Sequence, residues 1–273
     1  MGQLPVQGPE GLPEPDCKPA QPRRAGRWAV PSATHGHLHA AQPYGSRHPR
    51  RRGACVTETR GYRSEQPRAA ARSRVFGLLA GALGYPEGPL LADIREGRLA
   101  EALAKTIGEL DPRWAEELDG EALADGLAAD ELAIEYTRLF DVGSSGPPCP
   151  LYGGLWSKER TKNMEEVLRF YRHFGLGLDQ EQHQLPDHLS SELEFLHYLA
   201  FREAEAMRAG VEAGPYRRAQ CDFIERHPGR WVPELRAKLE ANAPPRFFAE
   251  LFRVLERVLV NERAHLAARG QPR

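Results

Sequence analysis

Cysteine is scarce in this 273-residue sequence, and Cys17, Cys55, Cys149 and Cys221 lie far apart. None of them belongs to a C-x-x-C pair, so the sequence predicts neither a zinc site nor a redox dithiol. No stretch approaches the roughly 18 consecutive apolar residues that a membrane-spanning helix needs. The N-terminal arginine pairs are not followed by the apolar segment of an export signal, so we expect a cytoplasmic protein without membrane insertion.

The short motifs of several common enzyme classes are also missing. The sequence has neither of two common glycine-rich nucleotide signatures, and it has no H-E-x-x-H or G-x-S-x-G motif. No spacing of acidic residues and histidines brings a nucleophile together with its base. We therefore predict that the chain is not an enzyme and has no catalytic residue or metal site. A small helical nucleotide-binding enzyme is the less favoured alternative.

Charge is divided unevenly along the chain. Residues 1–74 carry 13 Lys and Arg against 5 Asp and Glu, a net charge of +8, whereas the whole chain has a net charge of −1. The remaining residues therefore have a net charge of −9. Phosphate contacts need Lys and Arg, so an acidic body argues against nucleic acid as a partner. It favours a cationic partner instead.

Composition divides the chain into two parts. Residues 1–71 are rich in Pro, Gly and Arg and show no periodic apolar pattern, which predicts a disordered basic tail. Residues 72–268 have apolar residues at helical spacing and no run of β-branched residues with strand alternation. We therefore predict an all-α fold, a single-domain helical bundle preceded by the tail.

Proline and glycine mark the ends of the predicted helices. One helix ends at Pro86, and a helical stretch over 89–110 is interrupted near Gly97. A segment over 121–140 places Leu132, Tyr136, Leu139 and Phe140 on one core-facing stripe. Further helical patterns cover 164–174, a segment starting at Pro186, and the segments 219–240 and 246–266. Pro186 fits a first helical position, and Asp187 then lies in the first turn.

Residues 141–154 form a loop, because four Gly and three Pro in fourteen residues suit neither a helix nor a central strand. The proline-stiffened loop presents aromatic side chains, which is typical of a groove that binds a peptide. Two interpretations are open for the aromatic pair before the loop: walls of the groove, or ordinary core residues. The candidate wall residues are Tyr136, Phe140, Pro147, Pro150, Tyr152 and Trp156.

Asp187 and His188 form a second candidate site at the start of the following helix. An exposed carboxylate beside an imidazole could bind an arginine or a backbone amine. The alternative is that Asp187 caps the helix and His188 is an ordinary surface residue.

The two segments together resemble the TorD/DmsD family of assembly chaperones, which includes the nitrate reductase delta subunits, or NarJ-like proteins. The family's Y-x-x-L-F element corresponds to residues 136–140, ahead of the Gly/Pro-rich loop. Its second element corresponds to Pro186-Asp187-His188, followed by Glu192 within E-L-x-F. Leu185 precedes Pro186, which leans toward the nitrate-reductase-like branch. The resemblance covers residues 72–266.

The resemblance implies a chaperone that binds the twin-arginine leader, or another N-terminal segment, of a molybdopterin oxidoreductase catalytic subunit. Such a protein assists molybdenum cofactor insertion before export, and the client carries the cofactor, so we expect none in this chain. Asp187 is then the anionic contact and His188 orients it, with Pro186 and Glu192 from the same motif in the peptide-binding set. The chain would be a monomer or homodimer. A stable accessory subunit of the enzyme complex is the alternative.

Overall fold

A computed structural model describes residues 56–125, 129–144, 146–177 and 185–270 of the chain, with side chains from residue 65 onward. These residues form helices and no β-strand, so the predicted all-α fold is confirmed. In chain order the α-helices are α1 (Val56–Ala82), α2 (Gly88–Arg95), α3 (Arg98–Leu110), α4 (Pro112–Glu116), α5 (Gly120–Leu123), α6 (Ala129–Tyr136), α7 (Arg160–His173), α8 (Leu189–Arg208), α9 (Gly214–Arg226), α10 (Pro228–Glu240) and α11 (Arg246–Gly270).

Helix α1 begins well before the predicted boundary at residue 72. Ala69 and Ala71 are buried, and on either side of them Arg68 and Arg72 occupy positions where an apolar residue would be expected. Because charged residues stand at these positions, this part of the sequence lacks the helical spacing of apolar residues from which a helix is predicted. The folded body therefore extends farther toward the N-terminus than predicted, whereas the predicted disorder of residues 1–55 lies outside the described residues.

A buried ionic network joins α1 to three other helices. The Arg72 guanidinium, 2% exposed, donates to Glu203 of α8 at 2.6 Å, to Gln220 of α9 at 2.8 Å and to Glu262 of α11 at 3.0 Å. Arg68 donates to the other oxygen of Glu262. Because a buried charge is tolerated only when it is paired and fully hydrogen-bonded, this network fixes the mutual positions of the four helices.

Two predicted helices are each divided in the structure. The segment 121–140 was expected to be continuous, but α5 ends at Leu123 and α6 begins at Ala129. The sequence between them contains the dipeptide Asp-Gly, which disfavours a continuous helix. The segment 219–240 divides at His227, where Pro228 takes the first position of α10. By contrast, the predicted break near Gly97 is confirmed, and this glycine has a φ of +73°.

The apolar stripe before the loop packs into the centre of the bundle. Leu132 and Leu139 are fully buried. The ring of Phe140 lies 5.2 Å from that of Phe248 and 5.8 Å from that of Phe252, both on α11. The C-terminal helix therefore supports the point from which the loop leaves the core.

Candidate functional site

The helix before the loop ends in a π-helical turn, Thr137–Asp141. The N–H of Val142 donates to the carbonyl of Thr137 at 3.0 Å, five residues back. Such turns are frequent at functional sites, because the extra residue redirects the side chains that follow. The loop then folds back on this turn, since the N–H of Cys149 donates to the carbonyl of Leu139 at 2.9 Å.

The end of the loop is hydrogen-bonded to the start of α8, and we call this contact of residues 151–154 with residues 187–189 the loop–helix junction. The N–H of Gly154 donates to the Asp187 side chain at 2.7 Å, and the N–H of Gly153 donates to the Asp187 carbonyl at 2.8 Å. The N–H of Leu189 donates to the carbonyl of Leu151 at 2.8 Å. The two segments that the sequence singled out therefore meet directly.

Two glycines allow this close approach. A Cβ atom added to Gly153 would lie 2.8 Å from the indole Nε1 of Trp231, and one added to Gly154 would lie 2.7 Å from Oδ2 of Asp187. Both distances are shorter than a carbon atom tolerates. A side chain at Gly153 would press on Trp231 of α10, and one at Gly154 would press on Asp187 before α8, so the glycines are required by close contact rather than by backbone conformation.

His188, not Asp187, caps helix α8. Its Nδ1 accepts a hydrogen bond from the N–H of Ser190 at 3.2 Å, and the helix begins at Leu189. Burial lowers the pKa of His188 to about 3, so the imidazole is neutral. The prediction that Pro186 starts the helix and Asp187 lies in its first turn is wrong, because both lie in a turn that precedes the helix, in which the N–H of His188 donates to the carbonyl of Leu185 at 3.2 Å.

A pair of buried carboxyl groups lies beneath the glycine turn. Asp187 and Glu192 are both 0% exposed, and Trp231 donates to Glu192 through its indole N–H at 3.3 Å. Desolvation raises the pKa of each carboxyl, and the charge of Asp187 raises the pKa of Glu192 further. Within the described ranges, Oδ1 of Asp187 and Oε1 of Glu192 have no hydrogen-bond partner.

Comparison with known proteins identifies the family. Residues 96–237 match the family model described as nitrate reductase delta subunit. The chain belongs to this family. The perchlorate reductase assembly chaperone protein of Dechloromonas aromatica is 33% identical to it over 196 residues, 70% of this chain and 87% of that protein.

Two further relatives match shorter parts of the chain. The chlorate reductase assembly chaperone protein of Ideonella dechloratans is 40% identical over 117 residues, 42% of this chain and 61% of that protein. The chaperone protein TorD of Vibrio cholerae is 31% identical over 108 residues, 38% of this chain and 47% of that protein. The resemblance to TorD- and NarJ-like assembly chaperones is thus confirmed. Because these relatives are named as chaperones, this member of the delta subunit family is not an enzyme.

Several of the predicted groove residues of this family member lie in its interior. The Tyr136 hydroxyl donates to the carbonyl of Leu83 at 3.1 Å, and Phe140 packs on α11, so the core interpretation holds for this pair. The prediction that Asp187 and His188 are exposed is wrong. The reason is that the Asp187 side chain is hydrogen-bonded in the junction and the His188 side chain caps α8. Pro186 and Glu192 are buried as well.

Other predicted residues do reach the surface. The partly exposed ones are Pro147, Pro150, Tyr152 and Trp156. The Tyr152 ring packs edge-on against His188 at 4.9 Å, and the Trp156 ring stacks on Trp231 at 6.4 Å. The indole N–H of Trp156 also donates to the carbonyl of Pro150 at 2.9 Å. These contacts hold the aromatic rings in fixed positions beside the junction.

Three exposed apolar side chains near this site were not predicted, those of Val142, Leu155 and Leu185. Leu155 follows Gly154 directly, and Leu185 lies two residues before Asp187, so they flank the loop–helix junction. Trp231 was missed too. A tryptophan in a helical pattern gives no signal that it reaches a distant loop.

Two kinds of site are not found in the part of the chain that the structure describes. No cluster of three or more His, Cys, Asp and Glu side chains is arranged to hold a metal ion. None of the described helices combines the length and the apolar character needed to traverse a membrane.

Proposed function

We propose that this chain binds the leader, or another N-terminal segment, of a molybdopterin oxidoreductase catalytic subunit and holds it in the cytoplasm. The client would be released for export after its molybdenum cofactor is inserted. The observation that carries the proposal is the loop–helix junction, in which the Gly/Pro-rich loop and the start of α8 are hydrogen-bonded into one site. Membership of a family of assembly chaperones supports it.

The binding surface in this proposal is the exposed rim of the junction. Leu155 is 48% exposed and Leu185 is 37% exposed. The ring of Tyr152, which belongs to the loop, packs against His188. Apolar side chains held in place by a rigid frame lose little entropy when a partner covers them. The apolar stretch of a leader would bury these side chains, with Trp156 at the edge.

Asp187 has a positioning role in this proposal. Its carboxyl group already accepts from Gly154 and is fully buried, so a leader arginine would not reach it without displacing the glycine turn. Asp141 is a better candidate for that charge. It is exposed at the start of the loop and has no ion pair among the described residues. Burial raises the pKa of the nearby Tyr136 hydroxyl, and the charge of Asp141 raises it further.

The client class follows from the relatives. Two of those named above are assembly chaperones of a perchlorate reductase and a chlorate reductase, and a relative from Thauera selenatis is the assembly chaperone of a selenate reductase. We propose that the client of this chain is an oxidoreductase of the same group. The chaperone should be missing from the finished enzyme, whereas an accessory subunit would copurify with it on size-exclusion chromatography.

Calorimetric titration with a synthetic twin-arginine leader peptide of a chlorate-reductase-type catalytic subunit tests the proposal. We expect the Leu155→Asp, Leu185→Asp double variant to bind about tenfold or more weakly, since burying each leucine contributes about 1.5–3 kcal/mol. Asp141→Asn should weaken binding of the twin-arginine peptide but leave binding of a peptide with glutamines in place of its arginines unchanged.

The matched control is the Val211→Asp, Val260→Asp double variant. Both valines are more than half exposed but lie outside the loop–helix junction, Val211 three residues after the end of α8 and Val260 on α11. Its affinity should equal that of the native chain. Equal affinity of the native chain and the leucine variant would remove the junction rim from the binding site.

A further inference from the structure

A second surface lies between α7 and α9, where a groove of about 440 Å³ opens to solvent. Its floor is aromatic and anchored to the core. Phe170 packs edge-on against the buried Phe223 at 5.1 Å, and Phe174 lies 5.9 Å from Phe195 and 5.8 Å from Tyr216. Since these rings are held from below, the groove does not have to form on binding.

The rim of the groove is basic, in contrast to the acidic body. Arg169 and His173 on α7 and Arg218 on α9 line it, and Asp222 is the acidic residue of the lining. Within the chain as described, neither Arg169 nor Arg218 forms an ion pair with a carboxylate, although the neighbouring Arg217 pairs with Glu203. Two guanidinium groups are thus available on opposite walls.

A further arginine, Arg226, lies beside the groove but is paired with Glu166, so it adds no net charge to the rim. The guanidinium of Arg226 lies over the ring of Phe170, 5.8 Å from its centroid. Charged groups around a concave surface focus their field into it, so the groove attracts negative charge even though residues 75–273 have a net charge of −9.

We infer that this groove binds an acidic linear segment of the client polypeptide. Guanidinium groups match carboxylates in a two-bond geometry, and arginine and aromatic residues are the side chains most enriched at protein interfaces. Arginine clusters are a recurring means of recognising acidic peptide motifs. Only the identification of the partner as the client polypeptide rests on the proposed function.

The position of the groove suits a second contact with the same client. Phe170 lies ten residues beyond Arg160 on α7, and the Arg160 side chain packs at Gly154 in the loop–helix junction. Ten helical residues span about 15 Å, a distance that about five extended residues bridge. A client held by its leader at the junction therefore has an adjoining segment within reach of the groove.

Fluorescence polarisation with a labelled eight-residue peptide of four glutamates, two phenylalanines and two serines tests the inference. We expect the Arg169→Glu, Arg218→Glu double variant to bind this peptide about tenfold or more weakly, because two charge-assisted contacts become repulsive. Asp222→Asn should strengthen binding by roughly two- to threefold, and added salt should weaken binding to the native chain. A peptide with lysines in place of the glutamates should not bind.

The matched control is Lys105→Glu with Lys238→Glu, which changes the net charge equally at exposed positions outside the groove. It should bind like the native chain, and both double variants should still bind the leader peptide. Absence of binding to the native chain, or equal binding by the groove variant, would overturn the inference. So would tight binding of GTP or ATP that displaces the acidic peptide, since the groove would then be a nucleotide site.

Discussion

The side chain of Asp187 accepts a hydrogen bond from the backbone N–H of Gly154 at 2.7 Å, across 33 residues of sequence. The same aspartate accepts the N–H of Gly153 through its carbonyl at 2.8 Å. A single residue thus binds two consecutive amides of the loop and fixes the loop on the start of α8. The Pro-Asp-His motif and the Gly/Pro-rich loop are two halves of one structural unit.

Replacing Gly154 by alanine tests this unit. The new Cβ would lie 2.7 Å from Oδ2 of Asp187, a short buried side chain that has little room to move. We expect the free energy of unfolding to fall by about 1–3 kcal/mol, as overpacking does elsewhere. Urea denaturation followed by circular dichroism measures the change.

The control for this variant is Gly81→Ala. Gly81 lies inside α1, is exposed, and would place its Cβ in open space. Alanine there should stabilise the fold by about 0.5–1 kcal/mol, because glycine is a poor helix former. Similar unfolding midpoints for the two variants would contradict the contact between Gly154 and Asp187.

Glu192→Gln should reduce the loss of stability that accompanies a rise in pH. The pKa values of Glu192 and Asp187 are raised in the fold, so both carboxyl groups keep their protons to a higher pH than in the unfolded chain. Their contribution to stability is fully present below about pH 4, near the unfolded pKa, and is lost as pH rises through the folded pKa. Glutamine cannot ionise and still accepts from Trp231.

Thermal melting between pH 5 and pH 8 measures this effect. The native chain should lose stability toward pH 8 more steeply than the Glu192→Gln variant, with a change in Tm of roughly 2–4 °C for each kcal/mol. Parallel curves for the two proteins would mean that Glu192 does not titrate in this range.

Much of the fold could be predicted from the sequence, because most helices are marked by apolar periodicity and by Gly or Pro at their ends. Gly97 and Pro86 are examples. The start of α1 could not be predicted, because Arg68 and Arg72 are charged and yet face the interior. From sequence alone a charged residue is predicted to be exposed, and only its distant ion-pair partners, such as Glu262, show that it is buried.

The candidate site shows the same limit. Its location could be predicted, since the loop and the helix start lie beside the two elements that resemble the chaperone family. The roles of Asp187 and His188 could not, because hydrogen bonds to Gly154 and Ser190 decide which side chain is buried. The exposed Leu155 and Leu185 were overlooked, because a single leucine in a loop has no period that would mark its direction.

His227→Leu should make the fold less sensitive to acid. The His227 ring is 1% exposed between Phe170 and Phe223, and its two nitrogens have no hydrogen-bond partner among the described residues. Burial, with Arg226 and Arg230 adding to it, lowers its pKa to about 3. The neutral ring therefore contributes stability that is fully present above about pH 6.5 and is lost as pH falls toward 3.

Chemical denaturation of the His227→Leu variant at pH 7.5 and at pH 5 checks this prediction. The variant should lose less stability than the native chain between these two values, because it lacks one of the buried neutral histidines. It should still lose some, since His188 remains and its pKa is also lowered to about 3. An identical loss in both proteins would show that His227 is not protonated on unfolding in this range.

Arg72→Ala should destabilise the bundle more than any surface change in α1. The substitution leaves the buried carboxylates of Glu203 and Glu262 short of one partner each, and breaking a buried ion pair typically costs about 3–5 kcal/mol. Arg74→Ala provides the matched control, because Arg74 pairs with Glu109 at the exposed surface and should contribute about 1 kcal/mol or less. Comparable unfolding free energies for the two variants would mean that the network does not hold α1 against α8, α9 and α11.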